Sequence, residues 1–442
     1  MKIVLADCYH DSDKGGGGMV AGAVAAIREA CGARGERGDI SLLYRFSEDD
    51  PKFAGAARLT APAFPDCPVC PAPISSRRGP GLAWLSWGFR VVVLGTLRLV
   101  APGWSRHRGV VAMREADLIL FKGGNFYRSW STNAAADLIA MILLLYPAIL
   151  AARMGKPYAF VSHTFGPFHT AVSRRIVRRV LSGAVYISTR ESRSSTILRQ
   201  CGVPASRVKV TPDFGFGASP APDERAHELL QCHALNARDF VAFTARPWFY
   251  ADRRTGQTDA FDAYLAGAAE LLDYALECGV SRVALVVQND GAHSVNEPDL
   301  PVLESVRARM RHRDRAVIID HDYPYDDLCA IYGQARLTLG TRLHSCIFSF
   351  VAGIPPIAIA YSHKAPGIMQ MMGLAEYALD IAALSIEDGK RLIQSVFQDE
   401  EELRRQLAQR APALREALFR AVADAMQQPG VESGEESRDD VS

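Results

Sequence analysis

The sequence predicts an α/β protein made of two doubly wound, parallel-sheet domains that face a cleft. Three observations carry this reading. At 442 residues the chain exceeds one ordinary hydrophobic core. Strand-like apolar runs alternate with helix-like ones, the pattern of parallel sheets covered on both faces. The alternation also restarts after a Pro-containing stretch around Ala218 to Asp223. The predicted boundaries are 1–217 for the first domain, 218–235 for a linker and 236–385 for the second domain. Helices follow over 386–428. The tail 429–442, "PGVESGEESRDDVS", is acidic and too poor in apolar residues to bury a core.

In chain order, "KIVLA" reads as a strand, Gly15 to Gly18 as a loop and "MVAGAVAAIREAC" as a helix. Pro51 to Pro80 reads as irregular. "ADLILFKGG" is a strand that ends at Gly123 and Gly124, with Asn125 next. "PYAFVSHTFGP" runs into a turn through His163, and "AVYISTRESRSS" ends at Arg190 and Glu191 before the helix "TILRQCG". "RVKVTPDFG", with Asp213, closes the first half. In the second half "DFVAFTARP" is a strand ending at Arg246, followed by the helix "AYLAGAAELLDYALECG". "RVALVVQND" ends at Asn289 and "RAVIIDHDYP" reaches Asp322, with "YDDLCAIYGQ" the next helix. "ARLTLGTR" leads through Arg342 and His344 into the apolar helix "CIFSFVAGIP", and "PPIAIAYSHK" ends at Lys364. Open parallel sheets bind ligands beyond the carboxyl ends of their strands, so these polar strand ends are the candidate working groups.

Composition narrows the partners. A net charge of +1 gives no global attraction for nucleic acid, so any anion site must be local. Nine scattered cysteines point to reduced thiols, and the one close pair, Cys67 and Cys70, is half of a zinc site with no second half. The reading therefore includes no metal and no bound cofactor. "MKIVLADCYH" is a strand rather than a secretory signal, because Asp7 interrupts its apolar run. The uncharged run in "DLIAMILLLYPAILAARMG" falls short of the ~20 residues a spanning helix needs, and reads as a helix against a sheet. Residues 82–104 carry Trp84, Trp87 and Trp104 beside Arg90 and Arg98. They suit an amphipathic helix packed on its own domain, or a peripheral membrane contact. The expected location is cytoplasmic, with that peripheral contact open.

The stretch "TLGTRLHSCIFSFVAGIPPIAIAYSHKAPGIMQMMGL" resembles the C-terminal signature of the polysaccharide pyruvyl transferases: Arg-Leu-His, an apolar helix, Gly-x-Pro, a strand and Tyr-x-x-Lys. "LILFKGGNF", "SHTFGPF", "TRESRSS" and "VTPDFGF" are similar, in order, to further family motifs, and the resemblance runs from about Ile3 to Leu374. It implies a GT-B-like fold of two Rossmann-like domains, with the acceptor on the first and the donor on the second. It also implies transfer of pyruvate from phosphoenolpyruvate onto sugar hydroxyls as a ketal, on a surface polysaccharide or its lipid-linked precursor. The chain departs from the family at "SDKGGGGMV", where members often carry Asn and Asp around the glycines.

That chemistry selects residue types. A carboxylate and a phosphate call for planar cationic donors, here Arg342 and Arg246, with Lys364 in support. Protonation of the methylene carbon calls for a group that gives and takes a proton, and His344 is the catalytic candidate. The helix N-terminus after Arg342 adds backbone amides. Gly16, Gly17, Gly123, Gly124, Asn125 and His163 are candidate substrate contacts. Each has a plainer reading. Arg342 could pair with a buried carboxylate, His344 could cap its helix, and Arg253 or Arg254 could replace Arg246. Arg190 and Glu191 fit a structural ion pair, His163 a core histidine, and the glycine run either a phosphate cradle or a turn. Two rival functions also stand: a GT-B glycosyltransferase using a nucleotide sugar, and a non-catalytic sugar- or anion-binding protein.

Overall fold

A computed structural model describes residues 1–74, 83–248, 258–291, 298–362, 364–428 and 430, with backbone alone at 83–87, 90, 258 and 259. The side chains of Trp84, Trp87 and Arg90, both Arg253 and Arg254, and all but one residue of the predicted tail lie outside the described residues. The chain forms two compact units. One holds Met1–Asp11, Met19–Gly217 and the chain from Glu416, the other Ser12–Gly18 and Ala218–Arg415.

In the first unit the strands are β1 (Lys2–Cys8), β2 (Asp39–Tyr44), β3 (Val69–Cys70), β4 (Leu118–Lys122), β5 (Tyr158–His163), β6 (Tyr186–Thr189) and β7 (Lys209–Val210). They form one parallel sheet in the order β3-β2-β1-β4-β5-β6-β7. The helices are α1 (Lys14–Gly32, from Met19 onward), α2 (Pro51–Ala54), α3 (Thr60–Ala63), α4 (Ala83–Val100), α5 (Arg108–Glu115), α6 (Ala134–Arg153), α7 (Ala171–Ser182) and α8 (Ser192–Gln200). Strand β1 shows why the sheet is covered twice. Ile3 and Leu5 point into a core with Val24 and Ile27 of α1, whereas Val4 and Ala6 join Met141 and Leu145 of α6 on the other face. Residues 51–80, read as irregular, contain α2, α3 and β3.

The second unit holds β8 (Phe240–Thr244), β9 (Arg282–Val286), β10 (Ala316–Ile319), β11 (Leu337–Gly340), β12 (Pro356–Ala360) and β13 (Ala378–Asp380). This sheet is also parallel, in the order β10-β9-β8-β11-β12-β13. Its helices are α9 (Asp223–Cys232), α10 (Thr258–Glu277), α11 (Leu300–Arg309), α12 (Tyr325–Gln334), α13 (Leu343–Val351), α14 (Lys364–Met372) and α15 (Ile386–Gln398). Helix α9 lies inside the stretch read as a linker. Its Arg225 donates to both carboxylate oxygens of Asp327, 2.8 Å and 3.2 Å away, and so ties it to α12. The last helix, α16 (Glu400–Met426), returns to the first unit from Glu416, where Leu418, Val422 and Met426 enter its core.

Two further elements differ from the sequence reading. Gly15 to Gly18 are the first turn of α1, not a loop: the Asp13 carboxylate accepts the Gly15 N–H at 3.2 Å, and the Asp13 carbonyl accepts from Gly16 at 2.8 Å. Helix α6 runs for 20 residues because Asn133 caps it, accepting from Ala135 and Ala136. Among the described residues it alone is long and apolar enough to cross a membrane, and 39% of that window is buried against the unit.

Gly22 of α1 packs on the backbone of Phe214 and Gly217, and an added Cβ would collide with the Phe214 carbonyl oxygen. Backbone cannot swing aside, so Gly22→Ala should destabilise the first unit by about 2 kcal/mol or more, seen as a lower denaturation midpoint. A midpoint equal to wild type would contradict this packing.

Candidate active site

Each sheet has one place where the strand order reverses, and such switch points open a crevice at the carboxyl ends of the strands. In the second unit it lies between β8 and β11. Arg246 follows β8, and Arg342 and His344 follow β11. Tyr361 and Lys364 follow the next strand, β12. Because the strands are parallel, all five residues come to one edge of the sheet.

The two strand ends are clasped together by hydroxyls. Thr244 Oγ1 accepts the Arg342 N–H at 3.3 Å and lies 2.8 Å from Ser345 Oγ, which donates to the Arg342 carbonyl at 2.6 Å. The Tyr264 and Thr341 hydroxyls, 2.9 Å apart, anchor the same turn to α10. Arg342 is the N-cap position of α13, so the first amides of that helix open toward this edge.

Arg342 is buried, and its side chain is engaged with a carboxylate. Nε donates to Asp299 Oδ1 and Oδ2 at 3.1 Å and 3.2 Å, and Nη2 forms an ion pair with Oδ1. Burial works against the charge, but Asp299 more than offsets it and holds the guanidinium protonated. Asp299 also accepts from the Gln288 and Asn289 N–H groups, at 3.2 Å and 3.0 Å, beyond the end of β9. The plainer reading of Arg342 therefore describes its contacts, and the edge of the guanidinium that would fork onto a ligand is directed at Asp299. Arg246 differs. Its guanidinium stacks 3.9 Å above the Tyr361 ring and makes no ion pair among the described residues.

His344 lies against the first turn of α1, which belongs to the same unit. A Cβ on Gly15 would overlap the imidazole Nδ1, and a Cβ on Gly18 would overlap the Phe348 ring. His344 and Phe348 are four residues apart on α13, with ring centroids 6.1 Å apart. Lys14, almost fully buried, pairs with Asp322 beyond β10, and the Lys14 N–H reaches the Gln288 carbonyl at 3.1 Å. Gly16 and Gly17 are buried in that same turn.

The remaining candidates belong to the first unit. Gly123, Gly124 and Asn125 follow β4, and β1 with β4 forms the switch point of that sheet. Gly123 leaves no room for a Cβ over the Ser162 carbonyl, and the Gly124 carbonyl accepts from Thr164 at 3.0 Å. Asn125 is half-buried. Beside them is a charged cluster that the sequence reading did not assemble. Asp7 accepts from Arg45 and from the Tyr127 hydroxyl, each at 2.5 Å. Asp7 has φ +64° and Ser162 φ +61°, each where its strand's register shifts. Left-handed backbone at non-glycine residues is strained, and such strain gathers at functional positions. The available signal for Asp7 was a charge inside an apolar strand.

His163 is fully buried among Tyr127, Phe160 and Phe165. Its Nε2 donates to the Phe121 carbonyl at 3.0 Å, and burial pushes its pKa down to about 4. The ring is a neutral core histidine in contact distance of Asp7, 4.0 Å away. Arg190 pairs with Asp213 at 2.5 Å and donates to the Thr164 hydroxyl at 2.7 Å, which in turn donates to Glu191 at 3.3 Å. Cys67 and Cys70 are free thiols, and no group of three metal-ligating side chains is found among the described residues.

Two predictions come from these buried charges. Asp299→Asn leaves Arg342 without its counter-charge and should cost about 3–5 kcal/mol of stability by denaturant titration; a loss under about 1 kcal/mol would contradict the pair's burial. For His163, the folded pKa of about 4 lies below the ordinary 6.5. Between those values the unfolded chain binds a proton that the folded chain refuses. Stability is therefore full above about pH 6.5 and falls toward pH 4, by roughly 3 kcal/mol from this group. His163→Gln should flatten that slope in pH-dependent denaturation, and an unchanged slope would remove His163 as its source.

Comparison with known proteins places this geometry. The family model described as polysaccharide pyruvyl transferase matches residues 30–363. The amylovoran biosynthesis protein AmsJ of Erwinia amylovora is 26% identical over 300 residues, which span 67% of this chain and 69% of that protein. Among solved structures, Anabaena Alr3699/HepE in complex with UDP and glucose has a TM-score of 0.54 at 15% identity, covering 96% of this chain and 97% of that one. A putative UDP-N-acetylglucosamine 2-epimerase from Listeria monocytogenes has a TM-score of 0.56 at 11% identity, covering 95% and 94%. At such identities the structures share the GT-B-like α/β fold alone. The family match spans well over half the chain, and the protein belongs to the polysaccharide pyruvyl transferase family.

Proposed function

We propose that the protein transfers pyruvate from phosphoenolpyruvate to two hydroxyls of one sugar, forming a cyclic ketal on an exopolysaccharide or its lipid-linked precursor. The observation that carries this reading is the edge of the second sheet. There Arg246, Lys364, the N-terminus of α13 and His344 follow adjacent parallel strands around the switch point. The relative named for amylovoran biosynthesis supports a polysaccharide as the acceptor class.

In this reading Arg246 takes the donor's carboxylate or phosphate, with Lys364 and the first amides of α13 as further anion contacts. Arg342, turned to Asp299, fixes the turn that presents His344. His344 delivers a proton to the methylene carbon, which becomes a methyl group, and positive charge develops at the adjacent carbon. The first sugar hydroxyl adds there and loses its proton. The C–O bond to phosphate then breaks, phosphate departs, and the second hydroxyl closes the ring with loss of its own proton. One of the two hydroxyl protons balances the one given to carbon, and the other leaves with phosphate or water. The acceptor is assigned to the first unit, near Gly123, Gly124, Asn125 and the Asp7–Arg45–Tyr127 cluster.

The test is direct. Purified protein with phosphoenolpyruvate and candidate saccharides should release phosphate in step with the mass gain of a ketal-linked pyruvate. Turnover of a nucleotide sugar with phosphoenolpyruvate untouched would replace this reading with the glycosyltransferase one. His344→Ala should lower kcat by about 10²–10⁴-fold while donor binding survives. Gly15→Ala drives a Cβ into the His344 ring and its Cβ, and should lower kcat by at least about tenfold together with the melting temperature. Wild-type kcat in both variants would dismiss this assignment of the proton donor.

A further inference from the structure

Helices α4 and α6 lie side by side on the first unit and run in the same direction. The Tyr146 hydroxyl donates to the Gly95 carbonyl at 2.8 Å, and farther along both helices Arg153 donates to the Leu99 carbonyl at 3.3 Å. Their outer faces are apolar and exposed. On α4, Phe89, Val92 and Val100 are 69%, 66% and 69% exposed, at spacings of three and eight residues that share one helix face. On α6, Ile139 and Ile142 stand one to two turns before Tyr146, as Phe89 and Val92 do before Gly95. Tryptophans mark both ends. Trp104, just beyond α4, is 90% exposed, and Trp130, just before α6, lies under the Arg128 guanidinium at 4.0 Å.

The charge beside both tryptophans is basic, with Arg128 on Trp130 and Arg106 and Arg108 by Trp104, while Glu48 and Asp49 line a pocket with Val91 and Leu94 on one flank of α4. From Arg77 to Arg114 the sequence has seven arginines and no aspartate or glutamate. Arg106 and Arg108 are exposed next to Trp104. An apolar face whose tryptophan ends are basic matches the boundary of an anionic bilayer, where acyl chains meet negative headgroups. It does not match a symmetric contact with a second copy, since a two-fold axis would set these basic ends against one another. Nor does α6 cross the bilayer. Its Asp137 is buried and accepts from Ser129 and Thr170 at 2.9 Å and 2.6 Å, and Met141, Leu145 and Leu150 belong to the core of the unit.

We infer that the α4–α6 face docks the first unit onto the surface of a membrane that contains acidic phospholipids, lying on it without spanning it. This docking does not depend on the identity of the donor. The full chain should co-sediment with vesicles of phosphatidylcholine and phosphatidylglycerol at least about tenfold more than with phosphatidylcholine alone, and less as salt rises. Val92→Asp with Val100→Asp should abolish that binding while the melting temperature and the turnover of a soluble acceptor stay at wild-type values. His344→Ala should bind vesicles as wild type does. Three results would overturn the inference: no vesicle binding, equal binding to both vesicle types, or a dimer by sedimentation velocity that the Val92, Val100 double variant dissociates.

Discussion

No side chain fits between the backbone of residue 15 and the imidazole of His344. The second unit's site is organised around that close approach. It recurs one turn later, where Gly18 receives the Phe348 ring, so a spacing of three on α1 meets a spacing of four on α13. The arrangement carries an intrinsic penalty, because each glycine disfavours helix by about 1 kcal/mol relative to alanine, and here four are consecutive. Tertiary contacts must therefore hold the turn: the Asp13 carboxylate on the Gly15 N–H, the Gln288 carbonyl on the Lys14 N–H, and the buried Lys14 paired with Asp322. A helix start of this kind exists only where its partner is already folded.

Buried ion pairs do similar positional work at the strand ends. Arg342 with Asp299, Arg190 with Asp213 and Arg45 with Asp7 each place a charge pair just past a parallel strand. Pairs of this sort add little net stability, since desolvation cancels much of the attraction, yet removing one partner is severe. Their effect is to allow one orientation of each turn. Asp299 is the clearest case, as it gathers two backbone N–H groups after β9 and the guanidinium after β11, and so fixes the spacing of two strand ends that flank β8.

Much of this was legible in the sequence because it is periodic or local. Uniformly apolar strands such as "LILF" and "FVAF", alternating with helices, specify parallel sheets, and strand ends can be read directly as the residues where apolar runs stop. Arg246, Arg342, His344 and Lys364 were found that way. What could not be read was partnership across distance. Arg342 and Asp299 are 43 residues apart, and Asp299 stands at the N-cap of α11, where no periodic signal reports its partner. Asp7 needed its left-handed backbone to turn toward Arg45 and Tyr127, and nothing local predicts that conformation for an aspartate. The glycine run misled for a physical reason: propensity disfavours helix there, and contacts with α13 override it. His163 misled in the opposite direction, since a histidine at a strand end looks available until the aromatic rings around it are known.

The contrast between Arg342 and Arg246 bears on how such a site can bind a dianion and release it. A cation forked onto a buried carboxylate is rigid and largely neutralised, so it can shape a turn but has little attraction left for a ligand. A cation stacked on an aromatic face keeps its charge and its in-plane N–H groups. Arg246 over Tyr361 is of the second kind, and it follows the central strand β8 at the switch point. In the proposed reaction Arg246 would meet the donor and Arg342 would keep His344 in place. The two arginines at one sheet edge would there divide the work, one holding the geometry and the other the anion.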